Sequence, residues 1–111
     1  MSEELTIETA MRRMPKAFDP EKAEGVSATV QYHLTGNEAG DWLVRIGDGK
    51  CEVEQASVDD ASLTLTVDSS DYLAILKGEL NAMSAFAEGK LKLKGDLPLA
   101  MKLMGFFKLP A

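Results

Sequence analysis

The sequence predicts an α+β domain in which a five-stranded, largely antiparallel sheet has its helices packed on one face. Two observations support this fold class. Apolar and polar residues alternate with a period of two in five short segments, as in strands with one buried face. The segments before, between and after these strands carry apolar residues at helical spacing instead. The resulting order is one helix, four strands, two helices, a strand and a helix, which is typical of an α+β domain.

The first predicted helix runs from Ile7 to about Phe18, with Thr6 as its capping residue. Its apolar residues recur every three or four positions, as on the buried side of an amphipathic helix. Pro15 is expected to kink this helix or split it into two short pieces, because proline lacks the amide hydrogen of a helical residue. The polar segment 19–25 follows as a turn.

Four strands are predicted in the middle of the chain. Alternating apolar and polar residues define them at 26–34, 42–46, 51–55 and 63–67. A turn rich in small and polar residues, 36–40, separates the first two strands. Asp48-Gly49 is a strong hairpin signal between the second and the third. Each strand is therefore expected to bury one face.

Helical spacing returns after the fourth strand. Ser69 or Asp68 can cap a short helix that Gly78 ends, and a second short helix is predicted at 80–88. The segment 90–94 then alternates lysine with leucine, which predicts a fifth strand.

The last predicted helix is apolar around most of its circumference. Asp96 caps it and Pro110 ends it, and only Lys102 and Lys108 are charged. Its apolar residues are Leu97, Leu99, Ala100, Met101, Leu103, Met104, Phe106 and Phe107. A helix that is apolar nearly all round must be buried on more than one side. We therefore expect a bound lipid, a partner subunit or a membrane surface to cover its second side.

Length and composition indicate one domain, residues 1–111, in a cytoplasmic protein. The chain has 111 residues, of which 45% are hydrophobic, so it can form a core of ordinary size. It contains no apolar run of about 18 residues that would span a membrane, and no apolar region of a secretory signal near its start. Its one cysteine, Cys51, cannot form an internal disulfide. The net charge of −6 argues against nucleic acid as a partner.

The charge is distributed unevenly along the chain. Residues 1–89 carry 7 basic and 17 acidic side chains, whereas residues 90–111 carry five lysines and one aspartate. The five lysines are Lys90, Lys92, Lys94, Lys102 and Lys108. A segment that is both basic and apolar is suited to transient contact with an anionic membrane surface. The alternative is that the lysines are solvated residues of an edge strand.

The sequence contains no combination of residues that predicts an active site. His33 is the only histidine and falls on the polar side of the first strand, so a metal site of the usual nitrogen–sulfur type is not expected. Cys51 falls on the inward side, and the neighbouring Glu52 and Glu54 would raise its pKa, which predicts an inert core thiol. We expect no enzyme activity, no cofactor and no metal.

The chain resembles the sterol carrier protein two family. The resemblance extends from the first helix to Phe107. It is clearest in three segments: the turn at 46–51, LTLTVDSSDYLAIL at 63–76 and KGELNAMSAFAEGKLKLKGDLPLAM at 77–101. It implies a five-stranded sheet covered by helices that enclose an apolar tunnel. It also implies a non-catalytic protein that binds or transfers fatty acids, fatty acyl-CoA, phospholipids or sterol-like lipids. The chain ends in Lys108-Leu109-Pro110-Ala111 rather than a peroxisomal address, so a peroxisomal location is not expected.

The resemblance also implies which residues line the tunnel. The predicted lipid-binding residues are Trp42, Val44, Leu73, Leu76, Met83, Phe86, Leu93, Met101, Met104 and Phe107. Two other functions remain open at this stage. The chain could be an accessory factor that presents an isoprenoid or quinone-like lipid to partner enzymes. Alternatively, its last helix could pair with a second copy in a homodimer that binds no ligand.

Overall fold

A computed structural model describes residues 6–106, except for the side chain of Met104. The helices are α1 (Ile7–Ala17), α2 (Ser69–Leu76), α3 (Ala82–Ala87) and α4 (Leu97–Leu103), and a 3-10 turn (Met104–Phe106) follows α4. The strands are β1 (Ala28–Thr35), β2 (Gly40–Gly47), β3 (Lys50–Glu54), β4 (Leu63–Asp68) and β5 (Leu91–Gly95). Every predicted element is present, and the bounds differ from the predicted ones by a few residues, except that α4 ends at Leu103 and the predicted end of the last helix, Pro110, lies outside the described residues. No helix within residues 6–106 is both long enough and apolar enough to cross a bilayer.

The five strands form one sheet in the order β3-β2-β1-β4-β5. In the described sheet, β1 and β4 pair in parallel, and the other three neighbouring pairs are antiparallel. The predicted α+β fold with a five-stranded, largely antiparallel sheet is therefore confirmed. The parallel pair arises because the chain leaves the edge strand β3, crosses two strands and returns beside β1.

One face of the sheet, which we call the inner face, carries the apolar side chains that the alternation predicts. The strand register aligns Trp42, Tyr32, Leu65 and Leu93 in one row across four strands. The first three of these are buried, and Leu93, on the edge strand β5, is half-buried. Buried residues of α1, α2, α3 and α4 belong to the same hydrophobic core as the inner face. Each fully buried large apolar side chain stabilises the folded chain by roughly 1.5–3 kcal/mol relative to the same side chain in water.

The outer face contains a buried glutamine that the sequence pattern did not single out. Gln31 is fully buried, and its Nε2 donates to the carbonyls of Trp42 at 3.1 Å and Ala56 at 2.9 Å. Its Oε1 accepts a hydrogen bond from the amide of Val58 at 2.8 Å. These bonds hold the crossing segment 55–62 against the sheet. A side chain that alternation assigns to solvent is buried here because the crossing segment covers it.

The end of β5 is fixed by a close backbone approach at Gly95. This glycine has φ +108°, and a Cβ atom built on it would lie 2.5 Å from the carbonyl oxygen of Ser62. The amide of Asp96 donates to the same carbonyl at 2.9 Å. Asp96 Oδ1 in turn accepts from the amide of Leu99 at 3.0 Å, which is the predicted cap of the last helix. The strand thus passes directly into α4.

Two predictions about the helices need correction. The prediction that Pro15 splits the first helix is wrong, because α1 continues through Pro15 to Ala17. Pro15 lies so close to the end of α1 that little helix remains beyond the missing amide, while Met11 and Met14 are buried in the core. The third helix begins at Ala82 rather than at Leu80, because Asn81 Oδ1 accepts from two backbone amides as its cap.

Candidate functional site

The predicted lipid-binding residues divide between the core and the surface. Trp42, Val44 and Leu73 are buried in the core, and Leu76 and Leu93 are half-buried against it. Met83, Phe86 and Met101 are exposed on α3 and α4. The side chain of Met104 and all of Phe107 lie outside the described residues. The structure therefore brings five of the ten into or against one core.

Four large apolar side chains on α3 and α4 form what we call the α3–α4 surface: Met83, Phe86, Leu97 and Met101. Their exposed fractions are 58%, 44%, 48% and 68%. On α4 the division follows helix periodicity, because Leu99 and Leu103 are buried whereas Leu97 and Met101 face outward. Single exposed apolar residues are ordinary, but four on two short helices that both contact β5 are the pattern of an interaction surface. Sequence reasoning missed Leu97 as a site residue, although it had recognised the apolar circumference of the helix.

The inner face is incompletely covered at β5, the edge strand that both α3 and α4 contact. Both α3 and α4 pack against this edge strand. Leu91 at its start is buried, but Leu93 in its middle is only half-buried. On α2, Leu76 is also half-buried, whereas Leu73 and Ile75 are buried. The core is therefore accessible in part to solvent where α3 and α4 pack against the edge strand.

The lysines of the predicted basic end are exposed. Lys92 and Lys94 project from β5 on the outer face, since their neighbours Leu91 and Leu93 point inward. Lys102 is exposed on the last turn of α4. Lys90 Nζ lies 3.3 Å from Glu88 Oε1 in an ion pair, so part of the positive charge of Lys90 is neutralised. Lys108 lies outside the described residues.

Two tyrosine hydroxyls are buried in the otherwise apolar core. The ring centroids of Tyr32 and Tyr72 are 5.5 Å apart in an edge-to-face arrangement, and the Tyr72 hydroxyl donates to Met14 Sδ at 3.9 Å. Burial raises the pKa of Tyr72 to about 12 and, together with the nearby Tyr72, raises the pKa of Tyr32 well above its usual range. Both phenols therefore stay neutral. Neither was predicted as a site residue, because each fits the apolar pattern of its own element.

The residues considered for catalysis lie apart from each other. His33 is on the outer face, half-exposed, with Nδ1 2.7 Å from Asp41 Oδ1. Cys51 is buried on the inner face as predicted, and burial, with a further contribution from Glu52, raises the pKa of its thiol to about 11. Among residues 6–106, no group of three or more His, Cys, Asp or Glu side chains is close enough to hold a metal ion.

Two open clefts occur in the described part of the chain. One, of about 390 Å³, is mainly polar and lies between the start of β1 and the β2–β3 hairpin. The other, of about 450 Å³, we call the α1–hairpin cleft, because Pro15 and Phe18 line it from the α1 side and Gly49 and Cys51 from the hairpin. Neither cleft is lined by a predicted lipid-binding residue. The apolar tunnel implied by the family resemblance therefore stays a prediction.

Comparison with known proteins supports the family. The profile of the SCP-2 sterol transfer family matches residues 7–108. Human Sterol carrier protein 2 is 43% identical over 82 residues, which are 74% of this chain but only 15% of that protein. The solution NMR structure of palmitated SCP2L2 from Aedes aegypti has a TM-score of 0.75 at 28% identity, and the match covers 91% of this chain and 93% of that one.

A likeness in fold alone extends to a larger protein. A stereoselective inverting sec-alkylsulfatase from Pseudomonas sp. has a TM-score of 0.82 at 19% identity, over 96% of this chain and 17% of that one. The fold thus also occurs as a small part of a longer chain. Because the family profile covers nearly every described residue and a curated relative shares 43% identity with it, the chain belongs to the SCP-2 sterol transfer family.

Proposed function

We propose that this chain is a non-catalytic lipid carrier that holds one lipid between its helices and the inner face of its sheet. Family membership supports lipid binding and transfer in general. The finer assignment is a long-chain fatty acid, fatty acyl-CoA, phospholipid or sterol-like lipid. A fatty acid is the first choice as a probe, because a relative of 28% identity that this chain matches over 93% of its length was solved in palmitated form.

The observation that carries this proposal is the α3–α4 surface. Its four side chains expose roughly half or more of their area to water, although burying a side chain of this kind gains about 1.5–3 kcal/mol. A ligand or a membrane that covers them recovers that free energy. The two helices that carry this surface also contact β5, whose core residue Leu93 is only half-buried.

The proposed route runs from this surface inward. A lipid first contacts Met83, Phe86 and Met101, then separates α3 and α4 from β5 and reaches Leu76 and Leu93. Further penetration brings it to Leu73, Val44 and Trp42, which are buried in the unliganded chain. Met104 and Phe107 complete the proposed lining. No member of this lining is an acid, a base or a thiol, which is why we propose a carrier rather than an enzyme.

The energetics suit a carrier that exchanges its ligand with a membrane. Removing one methylene from water gains about 0.8 kcal/mol, so roughly fifteen methylenes gain on the order of 12 kcal/mol. A bilayer offers the same tail a similar gain. Exchange between protein and membrane is then nearly balanced, and the apolar lining needs no strong polar contact to work.

We also propose that the α3–α4 surface touches the membrane while the lipid is exchanged. Residues 90–111 carry a net charge of +4, whereas residues 1–89 carry −10, so an anionic bilayer attracts this end and repels the rest. Lys92 and Lys94 provide exposed positive charge on β5, the strand that α3 and α4 contact, and Lys102 provides it on α4 itself. Apolar insertion and electrostatic attraction then act at the same end of the molecule. The single buried cysteine suits the reducing cytoplasm, which we propose as the location.

The proposal is tested by binding of a fluorescent fatty acid to the purified chain and to a Phe86→Ser variant. Phe86 is 44% exposed in the unliganded chain, so covering the rest of its area is worth roughly 1 kcal/mol and its loss should weaken binding about 3- to 10-fold. The matched control is Val58→Thr, which changes a half-buried apolar residue of the crossing segment 55–62 to a polar residue of the same shape. We expect its affinity to be unchanged.

Three results would contradict the proposal. The chain could bind no fatty acid at ligand concentrations that saturate a typical carrier. Phe86→Ser and Val58→Thr could behave alike. Finally, light scattering could reveal a stable dimer free of lipid, with the α3–α4 surface buried between two copies, which would support the dimerisation alternative instead.

A further inference from the structure

The Tyr32 and Tyr72 hydroxyls are placed where packing alone would favour phenylalanine. Tyr32 is 2% exposed at the centre of the inner face, between Trp42 and Leu65 in the strand register. Tyr72 is 7% exposed on α2 and lies with its ring against that of Tyr32. Burying a hydroxyl is unfavourable unless a good partner replaces the water that it loses. The pair is therefore a polar feature in a region where the fold needs only apolar area.

The acceptor that Tyr72 uses is a weak one. Its hydroxyl donates to the thioether sulfur of Met14 at 3.9 Å. A thioether accepts hydrogen bonds poorly compared with an oxygen. Met14 is also an unbranched side chain that can change rotamer at small cost. An oxygen atom that reached this position would be a stronger partner for Tyr72 than the sulfur is.

A cleft reaches the neighbourhood of the pair from the opposite side of the core to the α3–α4 surface. The α1–hairpin cleft, about 450 Å³, is lined by Cys51 and by Pro15, the residue next to Met14. Cys51 is close enough to Tyr32 for an ionised thiol to raise the pKa of the Tyr32 hydroxyl. Cys51, which lines the cleft, belongs to the same hydrophobic core as Tyr32 and Met14. The volume is within the range of small-molecule sites.

The surroundings of the pair favour a neutral group over a carboxylate. The described partners of the two hydroxyls are each other and Met14, and none of these carries a positive charge. The charged residues that line the cleft, Lys50 and Glu52, are exposed and of opposite sign. An ionised carboxylate would lose its hydration there without gaining a counter-charge.

We propose that Tyr32 and Tyr72 form the polar end of the lipid site and bind a neutral hydroxyl group of the ligand, which replaces Met14 Sδ as the acceptor for Tyr72. The proposal rests on the proposed function, since it assumes that a lipid enters the core. It assigns the ligand to the class of long apolar molecules with one neutral hydroxyl, which includes sterol-like lipids and long-chain alcohols. The hydroxyl of the ligand accepts from Tyr72 and can donate to the Tyr32 oxygen.

The test compares two ligands that differ only in the hydroxyl. 1-Hexadecanol and hexadecane are used to displace a fluorescent apolar probe, diphenylhexatriene, from the purified chain and from Tyr72→Phe. We expect Tyr72→Phe to weaken hexadecanol about 2- to 10-fold, the effect of one hydrogen bond, and to leave hexadecane unchanged. Tyr32→Phe should likewise weaken hexadecanol relative to hexadecane. This variant provides the test if Tyr72→Phe does not fold. Phe86→Ser, which lies outside the pair, should weaken both ligands equally.

The outcomes separate the two proposals. If neither the probe nor either ligand binds, both the carrier function and the polar end are wrong. If both ligands bind and each Tyr→Phe variant affects them equally, the carrier function stands and the polar end is wrong. Circular dichroism of each variant verifies that the fold is retained.

Discussion

Replacing Met101 by glutamine tests whether the α3–α4 surface contacts a membrane. Met101 is 68% exposed, the highest fraction among the four residues of this surface. Full burial of such a side chain gains about 1.5–3 kcal/mol, so the part still exposed is worth about 1–2 kcal/mol when a bilayer covers it. Loss of this free energy in the Met101→Gln variant should lower partitioning onto vesicles about 5- to 30-fold. Glutamine retains the length of the side chain and its helix propensity, so α4 itself is unchanged.

The assay is co-sedimentation with vesicles that contain anionic lipid, together with urea unfolding of both proteins. Because Met101 is already largely hydrated, the free energy of unfolding should change by no more than about 0.5 kcal/mol. Raising the salt concentration should weaken binding of both proteins, since the lysines act through screened charges. Equal partitioning of Met101→Gln and the unmodified chain would refute the assignment of this surface to the membrane.

Three further predictions concern the stability of the fold. Gln31→Ala should lower the free energy of unfolding, measured by urea titration, by about 3–5 kcal/mol, because it leaves a cavity and removes the hydrogen bonds that hold the crossing segment. A decrease of less than about 1 kcal/mol would contradict this prediction. Gly95→Ala should lower the melting temperature, since the new Cβ meets the Ser62 carbonyl at 2.5 Å and φ is +108°, and an unchanged melting temperature would disprove the close approach. Stability should also fall between pH 10 and 12. In that window the native chain keeps the Tyr72 proton, because the pKa of Tyr72 is about 12, while the unfolded chain loses it near pH 10. The free energy of unfolding therefore falls as pH rises, by roughly 1.4 kcal/mol per pH unit for this group. Tyr72→Phe should flatten this slope, and an identical slope in the variant would exclude Tyr72 as its source.

The elements of the fold were predictable because local patterns determine them. Alternation located all five strands, and short polar side chains at Thr6, Asp68 and Asp96 marked the starts of three helices. Helix and strand bounds differ from the predictions by a few residues, as at Asn81, where the capping asparagine rather than the first apolar residue decides the start of α3. Capping and periodicity involve only residues that are close together in the chain, so a single sequence is enough to recognise both.

Features that depend on distant parts of the chain were not predictable in the same way. The strand order, with β1 paired in parallel to β4, depends on where residues 55–62 cross the sheet. Gln31 was assigned to solvent by alternation, but the crossing segment covers it and its polar atoms bond to that segment. Pro15 was expected to kink or split α1, but α1 continues to Ala17, and the buried Met11 and Met14 before Pro15 anchor the helix in the core.

The predicted lipid-binding residues stay a prediction, and the structure places part of them in or against the core. The family resemblance named ten lipid-binding residues, and five of them belong to or pack against the core. The apolar circumference of the last helix indicated that something covers its second side, and the exposed Leu97 and Met101 are the residues concerned. Periodicity could not identify the Tyr32–Tyr72 pair, because a tyrosine fits an apolar pattern and its hydroxyl partner comes from another element. Tunnel shape depends on side-chain packing and is not contained in periodicity.

The most direct test of lipid binding at the α3–α4 side of the core is methyl NMR with a spin-labelled fatty acid. The methyl groups of Met83 and Met101 and those of Leu93 should broaden strongly on addition of doxyl stearate, whereas those of Val58 on the crossing segment should not. This pattern would locate the lipid between the two helices and the edge strand. Equal broadening of Val58 and Leu93, or no broadening at saturating ligand, would contradict the account.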